Sequence, residues 1–413
     1  MIDNLADCRN MESIIPDKKF DQQIKDSNIL IVIHEYVIGG VGHVLRDFLL
    51  EKSPKNLLFI AHPLLYIQES YKKSSYMQWY VDGKLKKKQT AIHWILPEQL
   101  LYIKDFIYSL LWTLKTGVKF DLVVALDPLN AISGLALKIF RRVEKVAHYC
   151  IDYFPTRFEN PLMNKIYHQI DKLAVRFSDE TWNLGARMVK ARAEGNNMKG
   201  KEYKRRQFHM PIGVWMAKIK RKPIDKFQAN KLIYAGGFLN YMGIDMVIKA
   251  LPQILKKIPN CILEIIGRGE EEGTWRKLAE KLKIEKHIEF HDWLENREAF
   301  HLRLSSAAIG LAPFNYHILD DKVKNADPGK IKDYTSSGLP VITTKAVYTW
   351  RDIEKFKCGI IINYNEGEFA RAIIKLLTNR QLLLQYRKNA LKYASQFDWD
   401  KLFKENLGRI LSK

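Results

Sequence analysis

Residues 327–344 read DPGKIKDYTSSGLPVITT, and how this stretch folds decides the architecture. Asp327-Pro328-Gly329 is a turn signal. The polar run Lys330–Thr335 that follows is expected to be a short helix. Gly338 can end it in a left-handed C-cap, and Leu339-Pro340 restart the chain as an apolar strand at Val341-Ile342. A helix placed this way turns its unpaired N-terminal amides toward whatever lies beyond the strand ends, and Lys330 stands in its first turn. Amides and an ammonium together favour an anion such as a phosphate. Asp333, about one turn on, falls on the same face and suits hydroxyl groups better than phosphate. An ordinary helix–turn–strand connector with a solvated Lys/Asp pair has the same spacing, so spacing alone leaves both readings open.

The wording P-x-K-I-x-D-Y-x-x-x-G-L-P-V-I narrows the choice. It resembles the nucleotide-sugar segment of GT-B glycosyltransferases, in the family-four-like group and the related xanthan-type glucuronosyltransferases. The resemblance implies that Lys330 contacts the diphosphate of a nucleotide-sugar donor and that Asp333 binds its ribose. Tyr334, Arg268 and Gly237 are expected on the same donor side.

Composition sets the outer bounds. A chain of 413 residues with 47% hydrophobic and 27% charged content is globular and long enough for two domains with separate cores. Its start, MIDNLADCRNMES, lacks the basic and apolar regions of a signal peptide. No apolar run approaches the roughly 18 residues that a membrane span needs. Cys8, Cys150, Cys261 and Cys358 are scattered, which fits a reduced cytoplasmic chain better than a disulfide or zinc framework. Net charge is +21. Residues 1–210 hold 32 Lys/Arg against 23 Asp/Glu and the remainder 35 against 23, so the excess is spread and forms no arm. Such a surface calls for an anionic partner, either phosphorylated substrate or lipid headgroup. No helix-turn-helix, zinc finger or RNP-like segment is present, which argues against nucleic acid.

In chain order, residues 1–26 are polar and are expected to form a loosely packed leader. NILIVI at 28–33 is a buried-strand pattern; Gly39, Gly40 and Gly42 then make a loop, and Val44–Leu50 read as a helix. Strand, glycine loop and helix open a doubly wound domain, which binds ligands at the carboxyl ends of its strands. The missing third glycine of the dinucleotide fingerprint counts against NAD. The loop resembles the GT-B segment bordering donor phosphate and acceptor, with His43 as a binder; a solvated helix-start histidine is the plainer alternative.

Residues 64–119 interleave aromatics with lysines, and 98–116 read as a helix with a broad apolar face. That face is either core or a membrane-surface patch. FDLVVAL at 120–126 and KVAHYCI at 145–151 are further strands. Asp152, at the exit of the second, is placed for a general base toward an acceptor hydroxyl, or equally for capping the next helix. Y-x-x-D-x-x-P, then a helix, then SDETWNL resembles the first domain of the same enzymes, and the resemblance implies that Asp152 is the catalytic base.

MPIGV at 210–214 resembles the GT-B interdomain linker. The fold class expected is therefore α/β of GT-B type: two doubly wound parallel-sheet, Rossmann-like domains facing a cleft. The acceptor-side domain is placed at 27–212, the nucleotide-sugar domain at 213–395, and a C-terminal helix crossing back at 396–413. One departure matters. Where relatives carry Arg and Lys after the first strand of the second domain, this chain has Gly237 and Met242, so phosphate charge falls to Lys330, Arg268, helix amides or a metal; Asn325 also breaks the usual acidic spacing before Asp333.

The function expected is transfer of a sugar from a nucleoside-diphosphate sugar to a hydroxyl on a glycan or lipid-linked sugar, in bacterial-type surface polysaccharide or glycan assembly. No cofactor, no metal site and no nucleic-acid partner is expected. The location is cytoplasmic, with peripheral contact to the inner face of an anionic membrane. The alternative is a non-catalytic or epimerase-type nucleotide-binding protein of the same fold.

Overall fold

The computed structural model describes residues 17–35, 40–64, 73–94, 97–196, 198, 200–319 and 327–412. Cys8, Gly39, Tyr66, Tyr71, Lys72 and Asn325 lie outside the described residues. The chain divides into two compact units, Met1–Pro211 with Leu402–Lys413, and Ile212–Lys401.

The first unit is built on strands β1 (Asn28–Glu35), β2 (Asn56–Pro63), β3 (Tyr76–Val81), β4 (Lys84–Thr90), β5 (Phe120–Leu126), β6 (Val143–Cys150), β7 (Glu180–Asn183) and β8 (Gln207–His209). Their order is β4-β3-β2-β1-β5-β6-β7-β8. β1, β2 and β5–β8 are parallel, and their apolar runs are buried on both faces as a doubly wound sheet requires.

β3 and β4 fall in the aromatic- and lysine-rich stretch 64–119. They form an antiparallel hairpin added to β2, turning at Asp82-Gly83 with both φ positive. Lys84, Lys86, Lys87 and Lys88 lie exposed along β4, a charged edge that discourages pairing with another chain. The helix Glu98–Lys115 has two apolar sides. Leu101 and Trp112 are buried, whereas Leu100, Ile103, Ile107, Leu111 and Leu114 are 40–55% exposed.

The expected leader needs correction. Asp17–Asp26 is a helix whose Phe20 and Ile24 are completely buried, with Phe20 6.3 Å from the Phe48 ring. Two apolar residues four apart are enough to dock a short helix, and average polarity hides so sparse a pattern. At the other end of the chain, Phe403 packs 4.9 Å from Phe48 and Arg409 pairs with the buried Glu180.

The second unit carries β9 (Lys231–Ala235), β10 (Ile262–Ile266), β11 (Ile288–His291), β12 (Ile309–Ala312), β13 (Val341–Thr344) and β14 (Gly359–Ile362). They form a parallel sheet in the order β11-β10-β9-β12-β13-β14. Helices Ile244–Leu255 and Glu366–Leu377 bury apolar stripes on one face. The helices Gly329–Ser336 and Arg380–Ala394 pack on the other.

Both sheets reverse direction once. The first winds from β1 to β2 and returns to β5 on the opposite side of β1. The second winds from β9 through β10 to β11 and returns to β12 beside β9. Each reversal opens a crevice outside the carboxyl ends of two neighbouring strands, where doubly wound sheets take ligands. The two switch points are therefore β1/β5 and β9/β12.

Candidate functional site

At the β9/β12 switch point the turn after β9 is Gly236-Gly237. Gly236 has φ +155 and Gly267, after β10, has φ +144. A Cβ on Gly267 would collide with the Gly236 carbonyl, and one on Gly236 would lie 2.8 Å from Lys330 Nζ. Glycine is required because two strand-end loops and an ammonium converge there.

Lys330 sits in the first turn of the helix Gly329–Ser336, whose start has no side-chain cap. Its Nζ donates to the Tyr234 hydroxyl at 3.1 Å and to Met242 Sδ at 3.0 Å, and lies over the rings of Tyr234 (4.4 Å) and Phe314 (5.2 Å). The Tyr234 hydroxyl in turn donates to the Gly237 carbonyl at 2.6 Å. None of these partners is a carboxylate, and burial pushes the ammonium down to about 7. Met242, where the resemblance would have put a cation, thus touches Lys330. Among the described residues this charge has no carboxylate counter-ion, and a phosphate would supply one.

The remaining donor-side residues spread out. Asp333 is on the same helix, pairs with Arg297 at 2.6 Å, and has its pKa raised by burial against that cation. Arg268, at the end of β10, is 68% exposed and paired with Asp292. Tyr334 turns inward and needs correction. It is fully buried; its hydroxyl accepts from Ala235 N at 2.8 Å and lies 3.2 Å from the Leu311 carbonyl, stitching β9 to β12. Its place in the chain is beside Asp333, but one residue along a helix is a rotation of about 100° into the core.

In the first unit, Asp152 follows β6, and its carboxylate is held by Arg157 at 2.7 Å. Gly40 precedes the helix Val41–Lys52 as its N-cap. Gly42 is a packing glycine, since a Cβ there would sit 2.7 Å from Ile33 Cγ2. His43 is corrected from binder to core: it is 3% exposed, with its ring 5.3 Å from Phe59. The same helix start that was expected to present it outward turns it onto β2.

The residues that sequence reading missed lie at the β1/β5 switch point. His34, near the end of β1, places Nδ1 2.7 Å from Asp127 Oδ2 and Nε2 3.5 Å from Asp105 Oδ2. Asp105 comes from the helix Glu98–Lys115 and also receives Ser75 Oγ at 2.9 Å and Lys104 Nζ at 3.1 Å. His62, paired with His34 across β1 and β2, lies 3.3 Å from Asp105 on one ring nitrogen and 2.8 Å from Ser109 Oγ on the other. Burial alone would lower His34, but Asp127 and Asp105 outweigh it and hold the imidazole up at about 10. Against their burial, Asp105 is held below the usual carboxylate range by His62 and His34, and Asp127 by His34. His62, by contrast, is pushed down by burial. Two carboxylates then balance one imidazolium and the Lys104 ammonium. The sequence signal was slight: a histidine closing NILIVI, and an Asp-Pro after FDLVVAL.

Two His/acid clusters have metal-like spacing, His148–Cys150–Asp171 and Glu264–Glu289–His291. Cations of the chain already fill both. Arg192 pairs with Asp171 and reaches Cys150 Sγ at 2.7 Å, while Lys231 and Arg303 pair with Glu264. Among the described residues no helix is long and apolar enough to cross a membrane.

Comparison with known proteins agrees with this geometry. Residues 217–393 match the family described as Glycosyl transferases group 1. An uncharacterized glycosyltransferase of Haemophilus influenzae is 22% identical over 187 residues, 45% of this chain and 50% of that protein, so the chain spans about half the length of this curated relative. Sucrose-phosphate synthase from Thermosynechococcus elongatus superimposes with a TM-score of 0.63 at 14% identity, over 93% of this chain and 98% of that one. HepE from Anabaena, solved with UDP, gives 0.61 at 15% identity over 93% and 99%. The catalytic domain of starch synthase IV from Arabidopsis thaliana, bound to ADP and acarbose, gives 0.62 at 11% over 94% and 100%. The chain has the GT-B fold, and its match to the glycosyl transferases group 1 model lies within the second unit.

Proposed function

We propose that this protein is a glycosyltransferase that moves a sugar from a nucleoside-diphosphate sugar to a hydroxyl acceptor. The observation that carries this reading is Lys330: an enclosed ammonium with no carboxylate partner among the described residues, at the β9/β12 switch point and in the first turn of an uncapped helix. Lys330 and the helix amides would hold the diphosphate and stabilise the charge that develops as it leaves. Asp333 is assigned to the ribose, with Arg297 fixing its carboxylate. Arg268, on the exposed rim, and the Gly237 turn complete the donor side. UDP is the first donor nucleotide to try, because the similar HepE structures hold UDP and UDP-glucose.

The acceptor is assigned to a glycan or lipid-linked sugar at the inner face of a membrane, in surface polysaccharide or glycan assembly. Support comes from the exposed stripe Leu100, Ile103, Ile107, Leu111 and Leu114 and from the lysine-rich edge strand of the same unit.

The test is a panel of UDP-, ADP- and GDP-sugars, read both as thermal shift and as nucleotide release. Binding with release of nucleoside diphosphate is expected for one nucleotide. Binding without release or sugar conversion would favour a non-catalytic protein, and sugar inversion without release an epimerase. Absence of binding by every nucleotide would overturn the donor site.

A further inference from the structure

We propose that the carboxyl-terminal ends of three helices of the first unit, Glu98–Lys115, Pro128–Ile139 and Pro161–Phe177, together form a docking patch for an anionic lipid bilayer. The proposal rests on the membrane contact assigned above, extends it from one helix stripe to an edge of the sheet, and stands within the first unit.

Topology brings the three ends together. Glu98–Lys115 runs into β5, Pro128–Ile139 into β6 and Pro161–Phe177 into β7, and these three strands are parallel. The last turn of each helix therefore lies at the amino-terminal edge of the sheet. The middle helix packs against both of the others, so the three ends stand side by side. The β1/β5 crevice lies at the opposite, carboxyl edge, and docking here leaves it uncovered.

This edge is apolar where solvent reaches it. Ile139 and Phe140 are 79% and 62% exposed, Leu173 and Phe177 46% and 54%, and Leu111 and Leu114 44% and 40%. Single exposed apolar residues are ordinary, but six from three separate segments on one edge mark an interaction surface. Among the described residues of the second unit, only Trp293 and Ile318 are large apolar side chains with comparable exposure. Leu173 and Phe177 are four apart on one helix face, and Ile139-Phe140 stand at a tight corner where Arg141, with φ +57, turns the chain into β6.

Charge names the occupant. Lys115, Arg141, Arg142 and Arg176 are exposed in these last turns or just after them, and Arg176 lies 5.5 Å over the Phe177 ring. Nearby carboxylates are engaged: Asp179 by Lys138 at 2.6 Å, while Glu144 faces Lys119 at 3.8 Å. Asp171, the one acidic residue of Pro161–Phe177, is buried and paired with Arg192. Each helix end contributes a partial charge of about −0.5, roughly −1.5 for the three, which four full cations outweigh. A second copy of the chain would set those cations against their own kind. An anionic bilayer meets both features, with the apolar side chains among the headgroups and the guanidinium groups on lipid phosphates.

The test is co-sedimentation of the full chain with vesicles of phosphatidylcholine, alone or mixed with phosphatidylglycerol. Binding to the phosphatidylglycerol vesicles alone, weakened by salt, is expected. Arg141→Gln with Arg142→Gln and Arg176→Gln should weaken it about 10²-fold, since each basic side chain at the surface is worth about fivefold. Phe140→Ser with Phe177→Ser should also release the protein, and thermal unfolding should stay unchanged because both rings are exposed.

Equal binding to both vesicle types overturns the anionic assignment. If Ile103→Asp with Ile107→Asp detaches the protein while both helix-end variants bind fully, the membrane contact stands and this patch falls. If the wild type binds neither vesicle, both fall. Self-association that Phe140→Ser with Phe177→Ser abolishes, without vesicle binding, gives the patch to a second copy and overturns the lipid.

Discussion

Replacing Lys330 by methionine should stabilise the empty protein while removing donor binding. Burial lowers this lysine from 10.5 to about 7, which corresponds to roughly 5 kcal/mol against the charged folded form. Between these values the unfolded chain binds the extra proton, so the penalty is full below pH 7 and fades as pH rises to 10.5. Methionine keeps the length and the apolar contacts with Phe314 and Met242, and gives up a hydrogen bond to Tyr234. A net gain of about 2–4 kcal/mol at pH 7 is expected, shrinking toward zero by pH 10. For a unit of this size that is about 2–4 °C in melting temperature per kcal/mol. Nucleoside diphosphate, by contrast, loses a charge-assisted contact of about 2–3 kcal/mol, a roughly 30- to 150-fold weaker Kd. Urea titration at pH 7 and 10 reads the first effect and calorimetry with UDP the second. In the wild type the same calorimetry at pH 8 should register proton uptake on binding, as the bound phosphate restores the ammonium. A Lys330→Met protein that is less stable at pH 7 yet binds the nucleotide unchanged would refute the reasoning.

Other outcomes follow from single contacts. Tyr334→Phe should destabilise by about 1–3 kcal/mol in denaturant, because Ala235 N–H loses its buried acceptor, while UDP affinity stays within twofold. His34→Gln should destabilise more at pH 7 than at pH 10. The folded histidine keeps its proton to about 10, so its contribution is full below 6.5 and lost as pH rises through 10. Replacing Ile103 and Ile107 by Asp should abolish co-sedimentation with phosphatidylglycerol vesicles and leave soluble nucleotide binding intact; equal sedimentation would remove the membrane face.

Much of the architecture was legible because parallel strands buried on both faces are continuous apolar runs. NILIVI, FDLVVAL and KVAHYC announce β1, β5 and β6 in this way, and the Lys330 segment announces its own helix and strand. The Asp17–Asp26 helix and the β3/β4 hairpin escaped for the opposite reason. Their pattern is sparse or charged, and docking onto the rest of the unit supplies what the local sequence lacks.

The sequence by itself determined that a lysine stands in the first turn of a helix, since Lys330 after Pro-Gly at a helix start is a local property. Only the tertiary structure decided which groups meet. His34, Asp105 and Asp127 are separated by up to 93 residues and come together because β1 and β5 are neighbours and one helix crosses their ends. The side on which a helical residue falls was also settled there. Tyr334 and Asp333 are adjacent in the chain, yet packing against β9 and β12 takes one into the core and leaves the other on the site side.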